Sequence, residues 1–176
     1  DPEIVHYVMR KTTDFFLEYI KRAFEASNGK IDILFSADDL GSQTGLLLTP
    51  NSIREFITPY HKELNAVAHK YGAKVMYHSC GSVILAVEDL IDCGIDVLES
   101  LQFYTAGMTP EALKDNFGDR LCFHGGVSVQ KTLVTGSPED VTAEVEHLKK
   151  VLGKNGGYIL APAHKIQAGT SPENIV

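Results

Sequence analysis

Alternating strand and helix signals along the whole chain predict an α/β protein, and more narrowly part of a parallel (β/α)8 TIM-type barrel. Three observations carry that expectation. Five short apolar runs, at residues 31–35, 74–79, 95–99, 121–124 and 158–162, are separated by segments with helical periodicity. Parallel neighbours need long, right-handed crossovers, so this alternation implies parallel strands with helices between them. A complete barrel takes about 250 residues, roughly 31 per unit, so this length holds roughly five to six units.

The expected molecule is therefore a single domain over residues 1–176, forming the C-terminal five or so βα units of a barrel whose earlier strands lie outside the sequence. A complete doubly wound sheet is the alternative, and the lack of a Gly-x-Gly-x-x-Gly loop after any strand counts against it. A partial barrel leaves strands 31–35 and 158–162 as free edges, which predicts self-association through them.

The first helix spans residues 3–26, where Ile4, Val5, Val8, Phe15, Phe16, Tyr19, Ile20 and Phe24 recur at near-helical intervals before Asn28-Gly29 stops it. Strand 31–35 follows and discharges into the polar, Gly-bearing loop from Ser36 to Gly45. Thr49-Pro50 supplies an N-cap and a first-turn proline for a helix ending near Tyr71-Gly72. Strand 74–79 leads to a helix over 83–92, and strand 95–99 to one that starts at Thr109-Pro110 and ends at Phe117-Gly118. Strand 121–124 runs into His124-Gly125-Gly126, whose glycines either bring backbone amides to a ligand or serve only the turn. Ser137-Pro138-Glu139-Asp140 opens a further helix with a capping-box carboxylate, Gly156-Gly157 precedes strand 158–162, and Ser171-Pro172 announces a last helix start.

The chain has a net charge of -7, with its lysines and arginines scattered, so it offers no basic stripe for nucleic acid. No apolar run reaches membrane-spanning length and no secretory signal opens the sequence, so a cytoplasmic protein is expected. Cys80, Cys93 and Cys122 are odd in number and irregular in spacing, which argues against a disulfide framework. Cys93 and Cys122 read as core residues.

Ligand sites in parallel α/β folds lie at the C-terminal ends of strands. Read in order, those ends carry Asp38 and Asp39, His78 and Cys80, Glu99 with Gln102, His124, and His164 with Gln167. In His78-Ser79-Cys80 the two side chains are two residues apart and point the same way on an extended backbone, so they can share a metal. Zinc accepts imidazole, thiolate and carboxylate, which makes His78, Cys80, Glu99 and His164 candidate ligands. The alternative is a buried apolar Cys80, a Glu99–His164 hydrogen-bonded pair and His78 as a polar lining residue. Of the neighbours Asp38 and Asp39, only one can enter a barrel mouth; that one is a candidate acid, base or substrate acceptor, while both could instead satisfy loop amides. His6, His61, His69 and His147 fall in predicted helices and read as solvated surface groups.

The ordered set of strand-end motifs resembles the uroporphyrinogen decarboxylase superfamily: Asp38-Asp39-x-Gly-x-Gln43-x-Gly45, Thr49-Pro50 with Pro59-Tyr60, His78-Ser-Cys80-Gly81, Gly94-Ile-Asp96 with Gln102, Phe123-His-Gly-Gly126 with Gln130, and Gly156-Gly-Tyr158 with Pro162-Ala-His164. The resemblance implies a (β/α)8 barrel in a chain about twice as long, of which this looks like the C-terminal half. One branch removes carboxylates from a tetrapyrrole without a cofactor, and among its typical site residues the resemblance carries over only His164. The other branch comprises corrinoid-dependent methyltransferases and resembles the zinc half of cobalamin-independent methionine synthase. There His-x-Cys and a later Cys hold zinc, with a Glu in the synthase; His78, Cys80 and Glu99 match, and His164 stands where the last Cys falls. The resemblance thus implies a zinc-dependent methyl transfer between a corrinoid and a thiol, with a corrinoid protein as partner. Asp38, Asp39 and His164 become candidate catalytic groups, and Gln43, Gln102, His124 and Gln167 candidate contacts to a small-molecule or tetrapyrrole substrate. A tetrapyrrole carboxy-lyase and a silent ligand-binding half barrel are the alternatives.

Overall fold

A computed structural model describes all 176 residues. Its five strands form one parallel sheet in sequential order: β1 (Ile33–Ala37), β2 (Lys74–His78), β3 (Val97–Glu99), β4 (Cys122–Val127) and β5 (Tyr158–Pro162). Sequential order with helices in every crossover is the arrangement of a partial (β/α) barrel. The helices are α1 (Pro2–Ser27), α2 (Pro50–Phe56), α3 (Thr58–Lys70), α4 (Val87–Asp92), α5 (Pro110–Phe117), the single turn α6 (Thr132–Thr135) and α7 (Pro138–Leu152).

The caps act as the sequence suggests. Thr49 and Thr109 accept amide hydrogen bonds from Ser52 and Ala112, and Ser137 with Asp140 makes a reciprocal capping box. Asn28 ends α1 in the left-handed conformation. Ser171 caps only a 3-10 turn, Pro172–Asn174.

Four expectations need correction. The helix expected from Pro50 to Tyr71 is two helices, because Pro59 has no N–H for the preceding turn and its ring crowds that turn's carbonyl. The segment over 83–92 begins as a 3-10 turn, Ile84–Ala86, before α4. β1 is displaced two residues toward the loop: pairing with β2 continues through Ser36 and Ala37, whose register partners are Tyr77 and His78. β4 runs on through Gly125-Gly126, paired with Leu160 and Ala161, so the glycines lie inside a strand. There they answer to packing: a Cβ on Gly126 would sit 2.6 Å from the Phe103 ring.

Side chains alternate between the two faces of the sheet. On one, Val75, Tyr77, Leu98 and Phe123 are sealed beneath helices that contribute Ile53, Leu90, Leu113, Leu148 and Leu152 to one continuous core. Full burial of each such side chain is worth about 1.5–3 kcal/mol. The other face has no helix over it. Its upper row, in register, is Ala37, His78, Glu99, His124 and Ile159. Ile33, Phe35 and Ile159 are exposed there, Phe35 at 57%. The outer edges of β1 and β5 pair with no strand. No helix is long and apolar enough to cross a membrane.

Candidate metal centre

The loop after β2 is fixed from both sides before any functional side chain is considered. Ser79 N–H donates to the Glu99 carbonyl and Ser79 Oγ accepts from Leu40 N–H. Cys80 N–H donates to Asp39 Oδ1 at 2.9 Å, Gly81 N–H to Gln102 Oε1 at 2.7 Å, and Ser82 N–H to the Ser42 carbonyl at 2.8 Å. The two loops touch at Gly41 and Gly81. A Cβ on Gly81, whose φ is +78°, would lie 2.5 Å from the Gly41 carbonyl carbon, so only glycine permits this approach.

On that platform the donor atoms of His78, Cys80 and His164 lie within 4.8 Å of one another. His78 Nε2 is 3.3 Å from Cys80 Sγ, and the His78 and His164 rings meet edge to face with centroids 5.7 Å apart. The other nitrogen of His78, Nδ1, is hydrogen-bonded to Glu99 Oε2, which fixes the ring and directs Nε2 toward the cysteine. Glu99 therefore pairs with His78 and not with His164, because Glu99 is the register neighbour of His78 on the same face of the sheet.

Without an ion, the neighbouring carboxylates and burial favour protons on the cluster. The Glu99 carboxylate raises the His78 pKa against the opposing effect of burial. Burial pushes the Cys80 thiol up, the Ser100 hydroxyl opposes that shift, and the Asp39 and Glu99 carboxylates add to it. A divalent ion reverses this balance, since a coordinating thiol loses its proton outright. Two imidazole nitrogens and one sulfur are a donor set suited to zinc, and three protein ligands leave the further position that a catalytic ion needs. The residues present fit such an ion.

The other candidates are placed as follows. Asp38 and Asp39 diverge: Asp38 turns to the helix side, where its Oδ2 meets His61 Nε2 at 2.5 Å, and Asp39 lies over the cluster with Oδ1 3.5 Å from His78 Nε2. Gln102 is buried and holds the Gly81 amide. Gln43 is exposed, with its backbone carbonyl bound by Ala106 N–H. His124 sits one strand beyond Glu99 in the same row, its Nδ1 buried without a hydrogen-bond partner. Gln167 is exposed and donates to the Lys165 carbonyl.

His61 corrects the sequence reading. It is 7% exposed, not solvated, held by Asp38 and packed edge-on against Tyr77. The signal was available, since Ile57, His61, Leu64, Asn65 and Ala68 recur at helical spacing on one face of α3. Cys93 is buried as expected, whereas Cys122 is only partly buried because its side of the sheet is uncovered. A 420 Å³ cavity lies between α1, β1 and α3, with Ile20, Phe35, Asp38 and His61 among its walls and none of the three cluster residues; its Phe35 also faces the His78 ring, with centroids 6.2 Å apart.

A parallel β/α sheet carrying a metal-capable His/Cys/His cluster at its strand ends defines the class. The sequence pattern of the uroporphyrinogen decarboxylase (URO-D) family matches residues 1–176, and the chain belongs to that family. Similar proteins include the uroporphyrinogen decarboxylase of Chlorobaculum tepidum, 24% identical over 99% of this chain and 47% of the relative. The methylcobamide:CoM methyltransferase MtaA of Methanosarcina barkeri is 28% identical over 94% of this chain and 48% of its own length. Among solved structures, a methyltransferase from Methanosarcina mazei superposes with a TM-score of 0.70 at 26% identity, over 93% of this chain and 44% of that one. The chain spans about half the length of the curated relatives it matches.

Proposed function

We propose that this chain is the C-terminal, metal-binding part of a URO-D-family barrel that transfers a methyl group between a corrinoid or similar donor and a thiol, with zinc as the ion. The observation that carries the reading is the convergence of His78, Cys80 and His164 donor atoms within 4.8 Å on the uncovered sheet face. Similarity to methyltransferases in sequence and in structure supports it. A bound zinc ion would supply the acidity that turns a substrate thiol into a nucleophilic thiolate at neutral pH. The chain's own residues hold and orient: Glu99 sets the tautomer of His78, and Ser79, Gly81 and Gln102 fix the loop that presents Cys80. Asp39 stands beside the cluster, with Oδ1 3.5 Å from His78 Nε2. The remaining barrel strands are proposed to pair on the free edges of β1 and β5, and a second copy of the chain is the alternative occupant. Three free cysteines suit a reducing compartment, and the cytoplasm is the proposed setting.

Metal analysis tests the ion. About one zinc per chain in the wild type and none in Cys80→Ser is the expected result, and no zinc in the wild type overturns the reading. Incubation of a full-length form with methylcobalamin and a thiol tests the reaction. Removal of carboxylates from uroporphyrinogen by the same protein would instead favour a tetrapyrrole decarboxylase, the activity named for the Chlorobaculum relative.

A further inference from the structure

We propose that the fourth donor to the centre is Asp39, and that Glu99 stays off the ion as the residue that positions His78. The inference rests on the metal reading above and goes beyond it by choosing between two carboxylates. In a tetrahedral zinc site with ligand bonds of roughly 2.0–2.3 Å, neighbouring ligand atoms stand roughly 3.3–3.7 Å apart. Two distances from one nitrogen meet that requirement: His78 Nε2 lies 3.3 Å from Cys80 Sγ and 3.5 Å from Asp39 Oδ1. Both fit edges that meet at Nε2; the donor atoms already within 4.8 Å of one another are those of His78, Cys80 and His164, so Asp39 has to swing inward to complete the set.

Glu99 has the wrong address. It is bound to Nδ1, and the in-plane directions of the two ring nitrogens diverge, so an oxygen held on Nδ1 faces away from an ion on Nε2. A carboxylate on the outer nitrogen of a ligating histidine is an orienting partner.

Asp39 is held in place by backbone. The Cys80 amide takes one lone pair of Oδ1, leaving the other lone pairs of the carboxylate for an ion. The Gly41–Gly81 contact sets the distance between the two loops, and a Cβ on Gly41 would come within 2.7 Å of the Cys80 carbonyl oxygen. The Asp39 side chain is 60% exposed against 12% for Glu99, so it meets the ion from the solvent side and can shift to close on it. Zinc sites of this kind expand to five ligands, so a carboxylate here leaves room for a substrate thiol.

Cobalt(II) titration of the purified chain tests this, read by visible absorption, together with zinc X-ray absorption of the loaded protein. Sulfur-to-cobalt charge transfer reports Cys80 in every variant. Asp39→Ala is expected to weaken cobalt binding more than about tenfold, with one light-atom donor lost or replaced by water and the charge-transfer band kept. Asp39→Asn, which keeps an acceptor for the Cys80 amide, should also bind more weakly. Gly41→Ala, which leaves every donor present but forces the loops apart, should reproduce the Asp39→Ala spectrum. Glu99→Gln should weaken binding with the donor set unchanged. An unaltered donor set and affinity in Asp39→Ala, or loss of an oxygen donor in Glu99→Gln, overturns the assignment while leaving the metal site standing. A wild type that binds no cobalt, or a Cys80→Ser that binds it equally well, overturns the metal reading and the assignment together.

Discussion

The two ends of β2 and β3 carry similar groups put to different uses. At the N-terminal end, Asp96 accepts from Lys74 Nζ, His69 Nε2 and the Val75 amide, each at 2.8 Å. Burial pushes its carboxyl up, but Lys74, His69 and the amide outweigh that and leave it below the usual range. At the C-terminal end, three residues on, Glu99 is bound to His78, whose second nitrogen faces a thiol and another carboxylate. A carboxylate already met by three donors is largely satisfied and ties α3 to the sheet. Imidazole, thiol and carboxylate atoms facing one another retain lone pairs for a cation. The same His/carboxylate chemistry is thus structural at one end of the strands and receptive at the other.

The comparison can be broken most sharply at Cys80. Cys80→Ser should lower zinc affinity by more than about a hundredfold, since loss of a ligand exceeds the 10–100-fold typical of an outer partner. The midpoint of urea unfolding of the metal-free chain should hardly move. Glu99→Gln, measured by competition with a chromophoric chelator, should cost about 10–100-fold in metal affinity.

At the opposite end the readouts exchange. Asp96→Asn should destabilise the fold by about 1 kcal/mol, allowing for the solvent screening of a partly exposed group, and leave metal affinity unchanged. The sign of its pH dependence follows from the lowered pKa. The stabilisation is fully present above the ordinary carboxylate value of 3.8 and is lost as pH falls through the lower native value. Urea unfolding across that acidic range should show this loss in the wild type and a shallower one in Asp96→Asn. The smallest effect belongs to Lys74→Met, which removes one of several donors to Asp96 from an exposed position and should move the urea midpoint less than Asp96→Asn does.

Much of this division was legible in the sequence. Strand-helix alternation, Thr-Pro and Ser-Pro helix starts and the His78-x-Cys80 pair all act locally, within a few residues, and they lead to five parallel strands with metal-capable groups at their ends. What was misread depended on partners far along the chain. Ser36 looks like loop yet belongs to β1 because β2 pairs with it, and Gly125-Gly126 looks like a turn yet lies in β4 because β5 does. His61 was missed for a different reason: its helical stripe was visible, but the acceptor that lets an imidazole face the core, Asp38, is 23 residues away.

By itself, then, the sequence determined the kinds of element, their order and which residue types stand at the strand ends, because capping, periodicity and the pleat are short-range. Only the tertiary structure decided where each carboxylate stands. Glu99 and Asp39 are chemically alike and both follow apolar runs. Strand register puts Glu99 on the outer nitrogen of His78, and the contact between Gly41 and Gly81 brings Asp39 beside the inner one.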